Sequence, residues 1–182
     1  MKKKELTFSM VTTKGGDHGE SSLYNGERRR KDDLIFEVLG DLDELGSFLG
    51  LARASLCEKG FTKQDALIQK IQKTLFIIGG EVAMPPDAKQ RSAIKKITED
   101  DIVFLEEEEK RIFDKTVIEP LFTASGRNTS SALVDVCRTI SRRCERKIVA
   151  IISAWGWDHL SLSQKYLNRL SDLLFLMVRN LE

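Results

Sequence analysis

Four residues, Arg138, Arg142, Glu145 and Arg146, are spaced so that about 100° per residue puts them on one arc of a helix, roughly a quarter turn wide. Leu133, Val136, Cys137, Ile140, Cys144, Ile148 and Ile151 fall on the opposite arc. One side of this helix is therefore expected in the core, and the other carries three guanidinium groups and a carboxylate. Like charges at i, i+4 and i+8 repel, so an isolated helix gains nothing from Arg138, Arg142 and Arg146. The arrangement makes sense if an anion sits there. Guanidinium forks suit phosphate and carboxylate oxygens, and a polyphosphate needs several at once. The alternative is a solvated face with Glu145 paired to Arg142.

Other candidates are spread along the chain. Thr13-Lys14-Gly15-Gly16-Asp17-His18-Gly19-Glu20-Ser21-Ser22 is rich in glycine and hydroxyls. Glycines let backbone wrap closely around phosphates, whose oxygens accept from free N–H groups. Lys14 and Lys31 add point charges. No G-x-x-x-x-G-K-[ST] occurs, so this is not a Walker A loop, and a flexible terminus is the plain alternative. Asn168 and Asp172 stand at i, i+4 on a face shared with Lys165; they suit a base or ribose and an arginine respectively, or simply form a polar helix face. Asp43 and Glu44 read as a charged surface or as a carboxylate facing Arg138 across an interface. Phe122, between Pro120 and a small-residue loop, reads first as a core plug. Trp155 and Trp157 read as packing anchors, and His18 as a loop residue.

Five amphipathic helices must position these groups. Residues 1–32 lack sustained periodicity and read as loop. The first helix runs from Asp33 to about Cys57, with Asp32 or Asp33 as N-cap. The second runs from Thr62 to about Val82, with Thr62 and Asp65 read as a capping box. Residues 84–96 form a basic connection. Thr98 caps the third helix with Asp101, and Glu106 to Glu109 read as its solvated face. The fourth spans about Ser130 to Ser153, Trp155-Gly156-Trp157 makes a turn, and the fifth begins near Ser161. With short links and no strand alternation, the expectation is an all-α bundle in a single domain over 1–182, with 1–32 as an N-terminal segment and 33–182 as the bundle.

Composition narrows the function. The 182 residues contain 31% charged and 41% hydrophobic residues with a net charge of +1, which leaves no global field for nucleic acid or a membrane surface. Two histidines cannot build a His-rich metal centre. The three cysteines, Cys57, Cys137 and Cys144, form neither C-x-x-C nor an even disulfide set, which favours a reducing compartment. No apolar stretch reaches a membrane-spanning length, and no apolar h-region follows Met1-Lys2-Lys3-Lys4, so a cytoplasmic location is expected.

Taken together, three blocks resemble the PduO-type ATP:cob(I)alamin adenosyltransferases, most closely the branch that includes the animal mitochondrial enzyme. The first runs from Thr13 to Ser22, continues through Gly26-Glu27-Arg28-Arg29-Arg30-Lys31-Asp32-Asp33, and ends at Gly40-Asp41-Leu42-Asp43-Glu44-Leu45. The second is Ser130-Ser131-Ala132-Leu133 leading into Arg138, Arg142, Arg143, Glu145 and Arg146. The third is Tyr166-Leu167-Asn168-Arg169-Leu170-Ser171-Asp172-Leu173-Leu174-Phe175. They span about 11–179 in the family's order; residues 58–121 are not diagnostic.

The resemblance implies a ferritin-like five-helix bundle assembled as a homotrimer with sites between subunits. It implies transfer of the 5′-deoxyadenosyl group of MgATP to cob(I)alamin, giving adenosylcobalamin and triphosphate. By motif position, Thr13, Lys14, Gly15, Gly16, Ser21, Ser22 and Lys31 wrap the nucleotide from one subunit, supported by Asp17. Arg142, Arg143, Glu145, Arg146 and Asn168 contact it from the next, with Asp172 as a supporting carboxylate. Asp43 and Arg138 form an intersubunit ion pair, and Phe122 lies beside the cobalt's lower face. Mg²⁺ is expected through the ATP phosphates, with no metal site of the protein's own. A reductase and a B12-dependent enzyme are the implied partners. The chain departs from the family at Ser125-Gly126-Arg127, where relatives carry Pro-Gly or Pro-Ser-Gly, and at Leu34, often Pro. Arg127 favours the alternative of a non-catalytic ATP or corrinoid carrier or sensor on the same bundle; a ligand-free structural bundle is the third reading.

Overall fold

The computed structural model describes residues 6–118 and 124–182. Phe122 therefore lies outside the described residues. A short helix α1 (Phe8–Val11) precedes a two-stranded antiparallel hairpin, β1 (Glu20–Ser22) and β2 (Arg28–Arg30). The bundle follows as α2 (Leu34–Glu58), α3 (Thr62–Val82), α4 (Glu99–Phe113), α5 (Thr129–Trp155) and α6 (Ser161–Leu181). α5 packs against both α2 and α6, α3 lies on α2, and α4 lies on α6. The five long helices occupy the expected segments within one or two residues. The hairpin corrects the expectation that residues 1–32 are loop throughout. Its signal is Asn25-Gly26: Gly26 sits at φ 86°, where a side chain is disfavoured, and its N–H donates to Leu23 O at 3.0 Å.

The caps explain where the helices start. The Asp33 carboxylate accepts from the Ile35 N–H at 2.9 Å and begins α2. Asn128 and Ser131 cap α5 reciprocally, and Asn128 Nδ2 also donates to Leu181 O at 2.8 Å, tying the start of α5 to the end of α6. The Asp101 carboxylate accepts from the Thr98 N–H at 3.0 Å and from its hydroxyl at 2.8 Å. The Thr62–Asp65 box does not form. Phe61 holds the N-cap position, the Thr62 N–H donates to Gly60 O at 2.9 Å, and Asp65 accepts instead from Arg53 at 2.7 Å, because a charged donor on α2 is stronger than a neutral backbone N–H. α5 stops where Gly156 turns left-handed at φ 67°.

The core lies along the α5 stripe. Cys137, Cys144, Ile148 and Ile151 have no exposure, and Ile140 is buried. Each such aliphatic side chain contributes about 1.5–3 kcal/mol by leaving water. Val136 is the correction: it is 37% exposed, and its inward place is taken by Val134 and by Ser141, whose hydroxyl donates to Leu167 O at 3.0 Å. Trp157 is buried and acts as an anchor, whereas Trp155 is the exposed last residue of α5. Cys137 and Cys144 are buried free thiols, pushed up to about 12 by that burial, so they are packing groups. Among the described residues, no helix is long and apolar enough to cross a membrane.

Candidate active site

The five cations on the middle of α5 divide into two sets. Arg143 and Lys147 turn toward α2: Arg143 Nε lies 3.2 Å from Asp41 and its fork meets Glu44, while Lys147 Nζ lies 2.9 Å from Asp41 and 2.8 Å from Glu37. Burial opposes the charge on Arg143 and Lys147, but these carboxylates more than compensate, so both are held above their ordinary pKa. Arg138 Nε is held by Asp135, one turn back, at 2.7 Å. Arg142 and Arg146 are exposed, and no carboxylate among the described residues pairs with either guanidinium. Among the described residues, Arg146 donates only to the Arg142 carbonyl, at 3.2 Å. Helical rotation explains the division, since Arg143 is turned about 100° from Arg142 and so reaches α2.

Glu145 does not pair with Arg142. Its Oε1 accepts from Asn168 Nδ2 at 3.1 Å, joining α5 to α6 at a half-buried point. Asn168 Oδ1 in turn accepts from Arg169 Nη1 at 2.9 Å, and Arg169 Nε donates to Glu106 at 2.8 Å. Asp172 lies 3.9 Å from Arg169. The structure thus brings Glu145, Asn168 and Asp172 onto one polar seam beside the unpaired Arg142 and Arg146. Sequence reasoning missed Arg169, which sits one residue beyond Asn168 but locks its amide. Lys165, expected on the same face, is taken by Glu99 at 3.0 Å.

Glu109 corrects the reading of residues 106–109 as a solvated face. It is half-buried against α6, and its pKa is pushed up to about 7, first by burial and then by Asp172. The four-residue acidic run therefore splits: Glu107 faces solvent, Glu106 and Glu108 pair with Arg169 and Arg111, and Glu109 lies under the seam.

The second group of candidates lies on the N-terminal segment. Thr13 accepts from the Gly15 N–H at 3.4 Å, and Lys14 adopts φ 55°, a left-handed conformation costing roughly 1–2 kcal/mol for a side-chain-bearing residue. The Lys14 and Gly16 carbonyls each close a turn, accepting from Asp17 and Gly19. A Cβ on Gly16 would lie 2.8 Å from Lys31 Nζ, so the absence of a side chain there lets the ammonium approach the loop. The β1–β2 pairing sets Ser21 opposite Arg29 and Ser22 opposite Arg28. Asp17 and Lys31 are exposed. No hydrogen bond or ion pair among the described residues joins residues 13–31 to Arg142, Arg143, Glu145, Arg146 or Asn168.

Asp43 is exposed and has no hydrogen bond or ion pair among the described residues. It opens onto a cavity of 570 Å³ between α2 and α3, lined also by Leu39, Leu42, Gly46, Phe76 and Gly79. Phe76 is 81% exposed at its edge.

Residues 11–181 match the cobalamin adenosyltransferase family. The chain belongs to the cobalamin adenosyltransferase family. The human corrinoid adenosyltransferase MMAB is 41% identical over 174 residues, covering 93% of this chain and 67% of that protein. The corrinoid adenosyltransferase of Bacillus subtilis is 39% identical over 171 residues, covering 92% of this chain and 83% of the relative. Among solved structures, a phenylalanine-to-alanine variant of a PduO-type ATP:corrinoid adenosyltransferase from Lactobacillus reuteri, complexed with cobalamin and ATP, superposes with a TM-score of 0.86 at 28% identity. That match covers 94% of this chain and 92% of the other. An arginine-to-lysine variant of the Lactobacillus reuteri protein, complexed with ATP, gives 0.79 at 30% identity, covering 92% of this chain and 91% of the other. The cobalamin adenosyltransferase bundle therefore extends across nearly the whole of the present chain.

Proposed function

We propose that this protein transfers the 5′-deoxyadenosyl group of MgATP to cob(I)alamin. The observation that carries the reading is that, of the α5 cations, Arg142 and Arg146 alone lack a carboxylate partner among the described residues and stand beside the Glu145–Asn168 bond. A ligand carrying several anionic oxygens completes that site better than water does. Membership of the family and the match to structures holding cobalamin and ATP supply the substrate pair.

The Co(I) centre of the substrate attacks the 5′ carbon of ATP: the cobalt–carbon bond forms, the carbon–oxygen bond breaks, and triphosphate leaves with the electron pair. No side chain needs to act as nucleophile. The protein positions the two substrates, which can supply roughly 7–11 kcal/mol, and stabilises charge developing on the leaving group. Arg142 and Arg146 serve the triphosphate from α5, with Arg143 joining if it leaves Asp41. Asn168, oriented by Glu145 and Arg169, serves the base or ribose, and Asp172 supports Arg169. Thr13, Lys14, Gly15, Gly16, Ser21, Ser22 and Lys31 wrap the nucleotide, with Mg²⁺ carried on its phosphates.

Because no hydrogen bond or ion pair among the described residues joins the N-terminal segment to the α5–α6 seam, we assign them to sites between subunits of a homotrimer. Arg138 then reaches the neighbour's copy of Asp43. Its Nε is held by Asp135, which leaves its outer nitrogens for that carboxylate. Phe122 belongs beside the cobalt's lower face, where an apolar ring excludes an axial water and eases reduction; Phe122→Ala should bind ATP normally yet turn over slowly when coupled to a reductase. A reducing, cytoplasmic setting is part of the proposal, supported by the free thiols of Cys57, Cys137 and Cys144. Mixing protein, MgATP and chemically reduced cob(I)alamin tests the whole reading: conversion of the absorption spectrum to the adenosyl form supports it. A stable spectrum with ATP bound would favour the carrier or sensor alternative that Arg127 suggests.

A further inference from the structure

We propose that Arg28 is a positioning residue that clamps the nucleotide loop, holding the Gly15–Gly16 peptide so that its N–H faces a phosphate. The inference rests on the reading that residues 13–16 wrap ATP. Arg28 Nη2 donates to Gly15 O at 2.8 Å across 13 positions of sequence. The same guanidinium reaches Ser22 Oγ at 3.5 Å and the Glu20 carboxylate at 3.5 Å, so both strands of the hairpin fix its direction. In a trans peptide the carbonyl and the following N–H point opposite ways. Drawing Gly15 O toward the hairpin therefore turns the Gly16 N–H away from it. Among the described residues, that N–H has no protein partner.

Two further observations fit a clamp. Lys14, immediately before this peptide, is held in a left-handed conformation that a free chain would leave, so something downstream must fix it. The Lys31 ammonium lies against the Gly16 α-carbon, so a cation stands beside the residue whose N–H is free, a composition that suits a phosphate cradle. The alternation of β2 sets Arg29 on the face opposite Arg28 and Arg30, and the ion pairs divide the rest. Arg29 turns inward onto Glu27 and Asp33, Arg30 pairs with Asp32 in solvent, and Arg28 alone reaches the loop.

The test is a charge-versus-donor series at position 28, read by calorimetric MgATP affinity and by separate KM and kcat. Arg28→citrulline keeps the reach and an N–H donor without charge, Arg28→Lys keeps charge without the planar fork, and Arg28→Met keeps only bulk. The clamp predicts that Arg28→Met weakens MgATP binding about five- to tenfold, with cobalamin KM unchanged and kcat within about twofold. It predicts that Arg28→citrulline recovers most of that loss. If Arg28→Lys recovers affinity and Arg28→citrulline does not, Arg28 acts as a phosphate charge and the clamp is wrong. If Arg28→Met binds MgATP normally, the clamp is also wrong. Lys31→Ala separates the two levels: if it also leaves affinity unchanged, the N-terminal nucleotide assignment itself fails. Far-ultraviolet circular dichroism and melting of each variant should match the parent, because Arg28 is an exposed hairpin residue.

Discussion

The α5–α6 seam and the N-terminal segment carry comparable numbers of candidate ligands but are built oppositely. Along the seam, Glu145, Asn168, Arg169 and Glu106 form a chain of bonds of 2.8–3.1 Å between three helices, over the buried apolar core. In residues 13–31 the bonds are mostly turns, a three-residue hairpin ladder, exposed ion pairs and the Arg28–Gly15 contact, with a backbone tie from Tyr24 to Ala83, and one residue sits in a disfavoured conformation. A seam of this kind is preorganised, and its side chains lose little freedom when a ligand arrives. The loop gains order from the ligand and gives back part of its contact energy as ordering entropy. Substitutions in the seam should therefore cost rate and affinity steeply, whereas those in the loop should cost affinity modestly.

The largest expected effect is Arg142→Ala, which removes an unpaired cation from the leaving triphosphate. It should lower kcat/KM by about 10²–10³, or 2.7–4 kcal/mol, without changing the melting temperature, because nothing in the fold depends on this guanidinium. Normal ATP affinity in that variant would erase the distinction between seam and loop. Asn168→Ala should follow at about tenfold in kcat/KM, since the half-buried Glu145 loses its donor as the nucleotide loses a contact. Lys31→Ala, an exposed charge on the loop side, should raise the ATP KM about three- to fivefold with little change in kcat. A larger loss for Lys31→Ala than for Arg142→Ala would invert the ranking.

The smallest effect concerns stability. Glu109 has a folded-state pKa of about 7 against an ordinary 4.5. Between those values the folded protein keeps a proton that the unfolded chain has released, so stability falls as pH rises through that window. Partial exposure of Glu109 reduces the effect to about 1 kcal/mol. Urea unfolding at pH 5 and pH 7.5 should show that loss in the parent, and Glu109→Gln should largely remove it. An equal pH dependence in both proteins would mean that Glu109 is solvated like Glu107.

The helices were legible in the sequence because a 3.6-residue stripe extends over five long segments and the cap residues Asp33 and Thr98 mark starts. The α5 arc was legible for the same reason. Arg143 could not be distinguished from Arg142 in the sequence, because its partners Asp41 and Glu44 lie about a hundred residues away. The Thr62–Asp65 box failed on a similar long-range competition with Arg53. The hairpin was missed although Asn25-Gly26 announces it, since strands of three residues are too short for alternation to register. That omission hid Arg28, whose direction depends on strand parity.

A complementation experiment tests the central claim most directly, namely that one nucleotide is held by two subunits. The Arg142→Ala variant and a Lys14→Ala/Lys31→Ala variant are each prepared, then mixed, dissociated and reassembled. If each site takes its loop from one subunit and its α5 arginine from the next, random mixing restores about a quarter of the sites to full composition. The account predicts that adenosylcobalamin formation rises well above the sum of the two separate preparations. Activity equal to that sum, with mixed trimers verified by mass, would place loop and arginine in the same chain and contradict it.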